Sequence, residues 1–442
     1  MAEAPPAART EGLVHRQGLT ILLLFLGYGA YYFCRADLSV AVPLLIDELG
    51  RHGMAAPAAT VHLGTLASVG VLAYAIGKLF LTGIADLWGG RRTFLAGLGG
   101  AALFTLVFSA GGTLPVFTLA WLGNRLVQSV GWAGLLKVSS KWFNYSSYGA
   151  IIGILSVSYL IGDAVARPLM GSMIGHGFGW RALFVFAAAV AALMLIANFL
   201  FLRESRSDLG YAPALANPLN LFAHTEERPA RLRELLGPLL RSPAFLLVCL
   251  LSFGCTVVRE TFNFWTPQYL HGALGYSAAE SASLSAVFPG VGVFSVLATG
   301  WLSDRFGVLG RPTIMFAGLT AAAAALLALA LLPGGVHAAW LAVALIGLVA
   351  FCLLGPYSYL GGAFALDFGG LRAGAAASGI IDGIGYLGGA LAGDSVARLS
   401  VAFGWRGVFV ALALVCGASA FAAATLFQHQ RRLLAAVVKS HA

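Results

Sequence analysis

The sequence predicts an all-α integral membrane protein with twelve transmembrane helices in two six-helix halves. Composition is the first observation behind this prediction: 59% of the 442 residues are hydrophobic and 10% are charged. A soluble globular chain is about 45–50% apolar and about 25% charged, so this chain has too few ions to cover a surface in water. Long apolar runs and an internal repeat are the second and third observations. The composition also excludes an intrinsically disordered chain and a nucleic-acid-binding domain.

Each predicted helix is an apolar run bounded by glycine, proline or charged residues. A transmembrane helix needs about 20 apolar residues, so a chain of 442 residues has room for roughly twelve. Backbone groups in lipid must find their partners within the segment, so runs of this length are helices. The runs cover residues 19–46, 61–85, 93–110, 115–139, 149–174, 181–202, 244–270, 282–303, 312–332, 337–362, 373–400 and 406–428.

The longest polar stretch separates the sixth run from the seventh. It extends from Arg203 to Arg241 and is rich in arginine and glutamate. We therefore divide the chain into an N-terminal tail, a six-helix bundle, a central loop, a second six-helix bundle and a C-terminal tail. These segments cover residues 1–18, 19–202, 203–243, 244–428 and 429–442.

Lysine and arginine are distributed unequally between the two sets of loops. If both termini are cytoplasmic, the cytoplasmic segments hold 17 of the 27 basic residues, and the outer loops hold three, Arg51, Arg181 and Arg406. Cytoplasmic loops carry the excess of positive charge in membrane proteins. We therefore expect both termini in the cytoplasm. The other seven cations lie inside predicted spans.

The two halves repeat sequence features at matching positions. The segment from Phe178 to Arg181 reads Phe-Gly-Trp-Arg, and so does the segment from Phe403 to Arg406. Thr82 to Asp86, entering the loop after the second span, corresponds to Gly300 to Asp304, entering the loop after the eighth. Repeats in the same orientation predict two bundles related by an axis normal to the membrane.

Nothing in the sequence points to reaction chemistry. The five cysteines lie in apolar runs and lack the spacing of metal ligands or of a disulfide framework. No nucleotide-binding loop and no pairing of a nucleophile with a base is present. We therefore expect no enzyme activity, no metal site and no cofactor.

Three motifs resemble those of the major facilitator superfamily. Gly300 to Gly307 resembles its loop motif, and the segment from Asp86 to Arg92 resembles the copy in the first half. Span 4 carries Arg125 to Gly131, which is similar to the superfamily's Arg-x-x-Gln-Gly-x-Gly. The resemblance implies a transporter. It also implies mainly structural or gating roles for Asp86, Arg91, Arg92, Asp304, Arg305, Arg125 and Lys137.

A narrower resemblance, from about Gly27 to Phe421, is to the organophosphate:phosphate antiporter family, which includes glycerol-3-phosphate and hexose-6-phosphate carriers. The matching residues are Tyr31 to Arg35 with Pro43 in span 1, Ala73 to Lys78 in span 2, Gly131, Trp132, Lys137 and Lys141 to Phe143 in span 4, Arg259, Trp265 and Pro267 in span 7, and Gly355 with Pro356 in span 10. The resemblance implies exchange of an organophosphate for inorganic phosphate.

Two arginines lie near the middle of matching spans, Arg35 in span 1 and Arg259 in span 7. A charge at the bilayer centre costs about 2.5–3.5 kcal/mol, so both are functional candidates. The resemblance implies that both spans line a central cavity, where an anion would bind the two guanidiniums and relieve their repulsion. The alternative is that Asp37 or Glu260 satisfies them. We disfavour it because near neighbours in a helix do not face each other.

Four further ions within the spans are candidates for a role in the cavity. Lys78 in span 2 is a third cation, suited to binding phosphate or to pairing with a carboxylate as the cavity empties. Asp382 in span 11 has no local partner, so it is a candidate for pairing across the cavity with Lys78 or Arg167, or for binding part of the substrate. Asp163 and Arg167 are four residues apart on one face of span 5, and the simplest interpretation is a self-compensated pair.

Aromatic residues flank both arginines. Tyr32 lies on the same helix face as Arg35, and Trp265 is a candidate for stacking on a sugar ring. Ala36 and Tyr159 stand where glycerol-phosphate carriers have lysine and histidine, and both departures argue against glycerol-3-phosphate as the substrate. The predicted substrate-binding residues are Arg35, Arg259, Lys78, Tyr32, Asp382, Trp265 and Tyr159.

The sequence leaves three functions open. The favoured one is a secondary antiporter of the inner (plasma) membrane, a monomer that exchanges a phosphorylated metabolite for inorganic phosphate by rocker-switch alternating access. The second is a membrane sensor of sugar phosphate in a two-component system. The third is a proton-coupled carrier of a non-phosphorylated organic anion, which Asp163, Glu260 and Asp382 would serve. The sequence does not predict which organophosphate is carried.

Overall fold

The computed structural model of the protein describes residues 11–81, 84–214, 239–306, 309–332 and 339–441. The α-helices of this part of the chain are Leu13–Arg51 (α1), Ala56–Leu81 (α2), Ile84–Trp88 (α3), Gly90–Ala110 (α4), Leu114–Gln128 (α5), Gly131–Trp142 (α6), Tyr145–Gly175 (α7), Trp180–Phe201 (α8), Pro243–Leu274 (α9), Ala278–Leu284 (α10), Val287–Phe306 (α11), Gly310–Leu331 (α12), Ala339–Tyr357 (α13) and Ala365–His441 (α14). A π-helical turn, Leu360–Phe364, joins α13 to α14. Much of the predicted central loop, residues 215–238, and most of the predicted N-terminal tail lie outside the described residues.

The last helix, α14, consists of two arms. Gly404 has a φ of 66°, a left-handed conformation that interrupts a right-handed helix. Trp265 of α9 donates a hydrogen bond to the carbonyl oxygen of Ala392 (2.8 Å), and its ring lies 6.3 Å from that of Trp405. Those two α14 residues would be about 20 Å apart along a straight helix. The chain therefore reverses at Gly404, within the repeated Phe-Gly-Trp-Arg motif.

Ten helical segments of the described chain are long and apolar enough to cross a membrane. One of them, Ala377–Arg432, contains both arms of α14. The predicted fourth span is divided into α5 and α6, and each of these helices is too short to count as a membrane-crossing helix by itself. The protein is therefore an all-helical membrane protein with ten to twelve crossings, depending on how these two regions are counted.

Helix α1 is bent close to the predicted site. Cys34 has non-helical dihedral angles (φ −78°, ψ 16°), and Pro43 interrupts the backbone hydrogen bonding further along. Gly29 lets α7 approach closely, because a Cβ on Gly162 of α7 would lie 2.5 Å from the Gly29 carbonyl oxygen. The bend and the close approach place the residues after Cys34 at the centre of the molecule.

The two halves, α1–α8 and α9–α14, meet along three helix contacts. Helix α2 packs along α14, α1 packs against α9, and α7 packs against α10 and α11. The α2–α14 contact is a close one, since a Cβ added at Gly393 would overlap the carbonyl oxygen of Gly64. Ser68 of α2 donates to the Ala390 carbonyl oxygen (2.5 Å) and accepts from the Asp394 amide (2.8 Å). We call this contact the glycine seam.

These contacts concentrate at one end of the molecule, the end that contains the turn between α1 and α2, residues 52–55. We call it the distal end, and the opposite end, where α1 begins, the terminal end. Ser39 in the second half of α1 donates to the carbonyl oxygens of Asn263 (2.9 Å) and Phe264 (2.8 Å) in α9. Gly171 near the end of α7 lies against α10, where its Cβ would be 2.7 Å from the Ala279 carbonyl oxygen. The halves are thus closely packed at the distal end.

A charged cluster ties α4, α6 and the segment after α8 together at the terminal end. Glu204 accepts hydrogen bonds from the Gly90 and Arg91 amides (2.9 and 2.6 Å) and from Lys141 Nζ (2.6 Å). Arg91 in turn donates to the carbonyl oxygen of Leu202 (2.7 Å). Partial burial disfavours the charged form of Glu204, but the bonds from Lys141 and the two amides outweigh it and lower the pKa. This cluster lies within the first half.

The other predicted structural or gating residues are placed as follows. Arg92 is exposed, Lys137 is half-buried, and Arg305 is exposed with its guanidinium 3.9 Å from the Trp301 ring centroid. The side chains of Asp86 and Asp304 lie outside the described part of the structure. Their predicted gating roles therefore stay predictions.

Candidate functional site

A cavity lies between the two halves, and helices α1, α2, α5, α7, α9, α13 and α14 contribute to its wall. Its lining includes four guanidiniums and two carboxylates, an excess of two positive charges. The six ions are Arg35, Arg125, Arg167, Arg259, Asp163 and Glu260. A buried cavity with uncompensated positive charge is suited to binding an anion, because an anion offsets the cost of burying the cations.

Arg35 reaches the cavity directly after the bend at Cys34. Its Nε donates to Gln128 Oε1 (2.6 Å) and its Nη1 donates to the Tyr32 hydroxyl (3.2 Å). The guanidinium also lies 4.6 Å from the ring centroid of Tyr32 and 4.4 Å from that of Tyr74. No carboxylate of the described residues pairs with it. Arg35 is therefore held by neutral groups and keeps its charge available.

Asp37, the local acid considered as a partner for Arg35, is fully buried and takes no part in the cavity wall. One of its oxygens accepts from the Leu38 amide (2.6 Å), and the other has no partner among the described residues. Two residues along a helix amount to about 200° of rotation, which turns Asp37 away from Arg35.

Arg259 differs from Arg35 in being paired with an acid. Its Nη2 lies 2.5 Å from Glu260 Oε1, and its guanidinium is 4.6 Å from the Tyr357 ring centroid. The expectation that helix geometry would keep these neighbours apart was wrong, because both side chains are long enough to meet inside the cavity. Glu260 thus neutralises Arg259 in this conformation.

Arg125 is the cavity residue whose position differs most from expectation. It is 6% exposed, it lines the cavity, and its Nε has no hydrogen-bond partner in the described chain. Its guanidinium lies 5.2 Å from the Tyr74 ring centroid and 5.7 Å from the Trp121 ring. We predicted a mainly structural or gating role for Arg125, and the structure shows that it also lines the cavity.

Gln128 is a site residue that the sequence analysis did not select. Its Nε2 donates to the Asn124 Oδ1 (2.5 Å) and to the carbonyl oxygen of Cys34 (3.1 Å). These two bonds orient the amide so that its oxygen faces Arg35. The spacing Arg-x-x-Gln in span 4 was the available signal, because residues three apart share a helix face.

Two tyrosines, one from each half, form an aromatic layer among the cations. The Tyr74 and Tyr386 rings are T-shaped with centroids 5.1 Å apart, and both residues are buried. Lys78 lies 5.6 and 5.3 Å from these rings, and Arg259 lies 5.8 Å from Tyr386. Ring faces attract cations, so this layer stabilises several positive charges in a small volume. The sequence analysis did not select either tyrosine for the site.

Lys78 and Asp382 form an ion pair between the halves, with Nζ and Oδ2 3.2 Å apart. This pairing is one of the two that the sequence allowed for Asp382. The pair belongs to α2 and α14 and lies beyond Tyr74 and Tyr386 from the arginines, toward the terminal end. Neither residue is among those that line the cavity, so direct substrate contacts stay a prediction for both.

Asp163 and Arg167 form the predicted pair, with Nε and Oδ1 2.9 Å apart. Arg167 also crosses to the other half, donating to the Asn263 carbonyl oxygen (2.8 Å) and to Ser285 Oγ (3.1 Å). A weaker contact reaches Ser39 Oγ (3.5 Å). The donors of Arg167 are therefore engaged, and the pair fastens the halves together at the distal side of the cavity.

Of the three aromatic residues predicted to bind substrate, two line the cavity and one does not. Tyr32 and Tyr159 both line the cavity, with ring centroids 5.3 Å apart. Trp265 is 1% exposed, does not line the cavity and packs between Phe264 and Trp405. Its predicted stacking on a substrate ring is not supported, because six residues beyond Arg259 is about 240° of rotation around α9.

Two helical halves around a buried, charged cavity define a membrane transporter. The chain belongs to the Major Facilitator Superfamily, whose family pattern matches residues 24–393. Solved structures support the fold. A bacterial homologue of the human lysosomal transporter Spinster, inward-facing and unoccupied, has a TM-score of 0.73 at 18% identity and covers 95% of this chain and 98% of its own. A D-xylose-proton symporter has a TM-score of 0.71 at 15% identity and covers 92% and 97%.

Curated relatives are more specific about the family. A "Probable hexose phosphate transport protein" of Chlamydia muridarum is 29% identical over 414 residues, 89% of this chain and 87% of that protein. The "Glycerol-3-phosphate transporter" of Bacillus subtilis is 24% identical over 403 residues, 89% and 88% of the two chains. A "Membrane sensor protein UhpC" of Escherichia coli is 26% identical over 409 residues, 90% of each. The predicted resemblance to the organophosphate:phosphate antiporter family is confirmed.

Proposed function

We propose that the protein is a secondary antiporter that exchanges a phosphorylated organic metabolite, such as a sugar phosphate, for inorganic phosphate. The observation that carries this proposal is the excess of two positive charges in the cavity wall. Phosphate monoesters and inorganic phosphate are both close to dianionic near neutral pH. A dianion of either kind therefore neutralises the cavity, and both partners of the exchange meet the same charge requirement.

The charge excess also explains why transport would be an exchange. An empty cavity leaves Arg35 and Arg125 uncompensated in a site of low dielectric constant, where like charges repel strongly. Moving this cavity between the two membrane faces without an anion is costly. With either dianion bound, the charge is matched and the halves can rock. Net uniport is thus suppressed relative to exchange.

The closed distal end supports alternating access. Ser39, Arg167 and the glycine seam hold the halves together at that end, so we propose that the cavity is reached from the terminal end, past the Lys78–Asp382 pair. We place both termini in the cytoplasm, following the excess of lysine and arginine in those loops. This conformation is then inward-facing, in a protein of the inner (plasma) membrane that works as a monomer.

The experiment that tests the antiport is uptake of radiolabelled phosphate into proteoliposomes preloaded with phosphate. The wild-type protein is compared with Arg35→Lys and Arg259→Lys, since lysine keeps the charge and loses the bidentate geometry. Saturable exchange that collapses in both variants supports the proposal. Absence of exchange in folded wild-type protein, or exchange indifferent to both substitutions, contradicts it.

A membrane sensor of sugar phosphate is a second candidate function, because one relative of similar coverage is named as a sensor. A sensor needs to bind the same anion and has no requirement for turnover. Binding of a sugar phosphate without measurable exchange in the same preparation would favour the sensor. A proton-coupled organic-anion carrier has less support, since Asp163, Glu260 and Asp382 are each paired with a cation.

A further inference from the structure

Among the described residues, Arg35 and Arg125 are the two arginines of the cavity wall without an acidic partner, and Arg125 also lacks the hydrogen bonds that hold Arg35. Arg167 pairs with Asp163 and Arg259 pairs with Glu260, at 2.9 and 2.5 Å. In the described chain no hydrogen bond and no ion pair to Arg125 is found, although the residue is only 6% exposed. A purely structural buried arginine is normally satisfied by neighbouring acceptors. The free donors of Arg125 therefore need an acceptor that the protein itself does not supply.

Trp121 provides a second observation at the same place. It lies one helical turn before Arg125 on α5, lines the cavity, and is 5% exposed. Its indole Nε1 has no hydrogen-bond partner among the described residues. Trp121 and Arg125, one turn apart on α5, thus both line the cavity, and each carries a buried donor without a partner among the described residues. Donor groups that converge on a cavity without acceptors form a site for oxyanions.

The position of Arg125 relative to Arg35 indicates which anion fits. Both guanidiniums lie against the Tyr74 ring, at 5.2 and 4.4 Å from its centroid. Because Asp163 and Glu260 neutralise the other two arginines, the charge excess of the cavity resides on this pair. Both residues belong to the first half of the protein. Two cations of one half thus face one small volume, next to Arg259 of the other half.

We infer that Arg125 is a third anion-binding arginine, which together with Arg35 binds the dianionic phosphoryl group, with the Trp121 indole as a neutral donor. This inference rests on the proposed function for the identity of the anion, and it deepens that function. The first half then carries the phosphoryl group. Arg259 completes the site when its guanidinium leaves Glu260 and binds the anion instead. Selectivity for a dianion over a monoanion is set by the pair Arg35 and Arg125.

The test compares Arg125→Gln, Arg125→Lys and Trp121→Phe with the wild-type protein in phosphate exchange. Arg206→Lys is the control, because Arg206 is equally buried at 5% exposure and lies after α8, outside the cavity. We expect Arg125→Gln to raise the phosphate KM at least tenfold, Arg125→Lys and Trp121→Phe to raise it less, and Arg206→Lys to leave it within twofold. A phosphate KM within twofold of wild type in folded Arg125→Gln would overturn the inference.

The pH dependence separates a binding role from a structural one. A phosphate monoester takes its second charge near pH 6, so its dianion becomes dominant as the pH rises above about that value. For competition by a sugar phosphate, we expect the wild-type affinity to increase with pH over this range. The increase should be much smaller in Arg125→Gln, which has lost one of the two cations. An equally steep increase in both proteins would contradict the inference.

Phosphate-induced thermal stabilisation of the purified protein distinguishes failure of this inference from failure of the proposed antiport. Stabilisation of the wild type that is lost in Arg125→Gln supports the anion site even if no exchange is measured, and then only the antiport fails. Exchange that does not depend on Arg125 means that the inference alone fails. If Arg125→Gln does not fold, the phosphate KM values of Arg125→Lys and Trp121→Phe decide in its place, and values within twofold of wild type in both would overturn the inference. If the wild type shows neither stabilisation nor exchange, both the inference and the proposed antiport are overturned.

Discussion

Replacing Glu260 by glutamine should strengthen anion binding and slow turnover. The Glu260 carboxylate lies 2.5 Å from the Arg259 guanidinium, so it competes with any anion for that arginine. An anion on the other side of the guanidinium is about 6 Å from the carboxylate, and two unit charges at that distance interact by about 3 kcal/mol at an effective dielectric constant of 20. Screening by the neighbouring cations leaves about 1–2 kcal/mol, which corresponds to a roughly 5–30-fold lower KM.

The assay for this prediction is phosphate exchange in proteoliposomes, with KM and maximal rate determined separately. The maximal rate should fall, because the empty cavity of Glu260→Gln carries three uncompensated charges and releases its anion slowly. Glu260→Asp keeps the charge, and Glu48→Gln changes a carboxylate at the distal end that pairs with Arg181. The KM of both control variants should stay closer to the wild-type value than the KM of Glu260→Gln. An unchanged or higher KM in folded Glu260→Gln would refute the competition between carboxylate and anion.

Two further predictions concern the contacts between the halves. A methyl group at position 393 meets the Gly64 backbone, and overpacking of this kind costs about 1–3 kcal/mol, so Gly393→Ala should open the distal end. A cysteine introduced into the cavity should then react several-fold faster with a thiol reagent added from the distal side. The control Gly417→Ala, whose Cβ would meet nothing within 4 Å, should behave like the wild type. Equal labelling rates in the two variants would contradict the role of the seam. Alanine at Lys78 or Asp382 should impair exchange, and reversing the pair with Lys78→Asp and Asp382→Lys should restore at least half of it, since the 3.2 Å pair joins the two halves. Failure of the reversed pair, measured at equal protein levels, would indicate that one of the two residues contacts the substrate instead.

The helices were predictable because hydropathy reports directly on the environment of each segment. Most of the predicted runs match observed helices to within a few residues, although the fourth, eighth and tenth runs each cross a break between two helical segments. The turn at Gly404 coincides with the repeated Phe-Gly-Trp-Arg motif. Helix ends were less predictable. Helix α1 begins at Leu13 and α14 continues to His441, because polar ends of helices extend beyond the apolar run that identifies them.

The depth of the charged residues in the membrane was predictable from the sequence, whereas the direction in which their side chains point was less so. An arginine in an apolar run must be near the middle of the membrane, which is why Arg35 and Arg259 were found. The direction in which a side chain points depends on the rotation of its helix, which packing determines. Arg125 was therefore assigned mainly to structure or gating although it lines the cavity, and Trp265 was assigned to the site although it is packed between helices.

Pairing between long side chains was also beyond the sequence. Residues adjacent in a helix point about 100° apart, yet Arg259 and Glu260 are long and flexible enough to meet. The pairing decides which arginines carry the excess charge of the cavity. This pairing can be determined only from the positions of the surrounding groups in space, such as the rings of Tyr74 and Tyr386.

The most direct test of the central claim is whether uptake of a sugar phosphate depends on phosphate on the opposite side of the membrane. Proteoliposomes preloaded with phosphate, or with an equal concentration of a neutral solute, are given radiolabelled hexose 6-phosphate. Charge-matched exchange predicts rapid, saturable uptake only into the phosphate-loaded vesicles. Equal uptake into both sets of vesicles, or uptake driven by a pH gradient without internal phosphate, would contradict it.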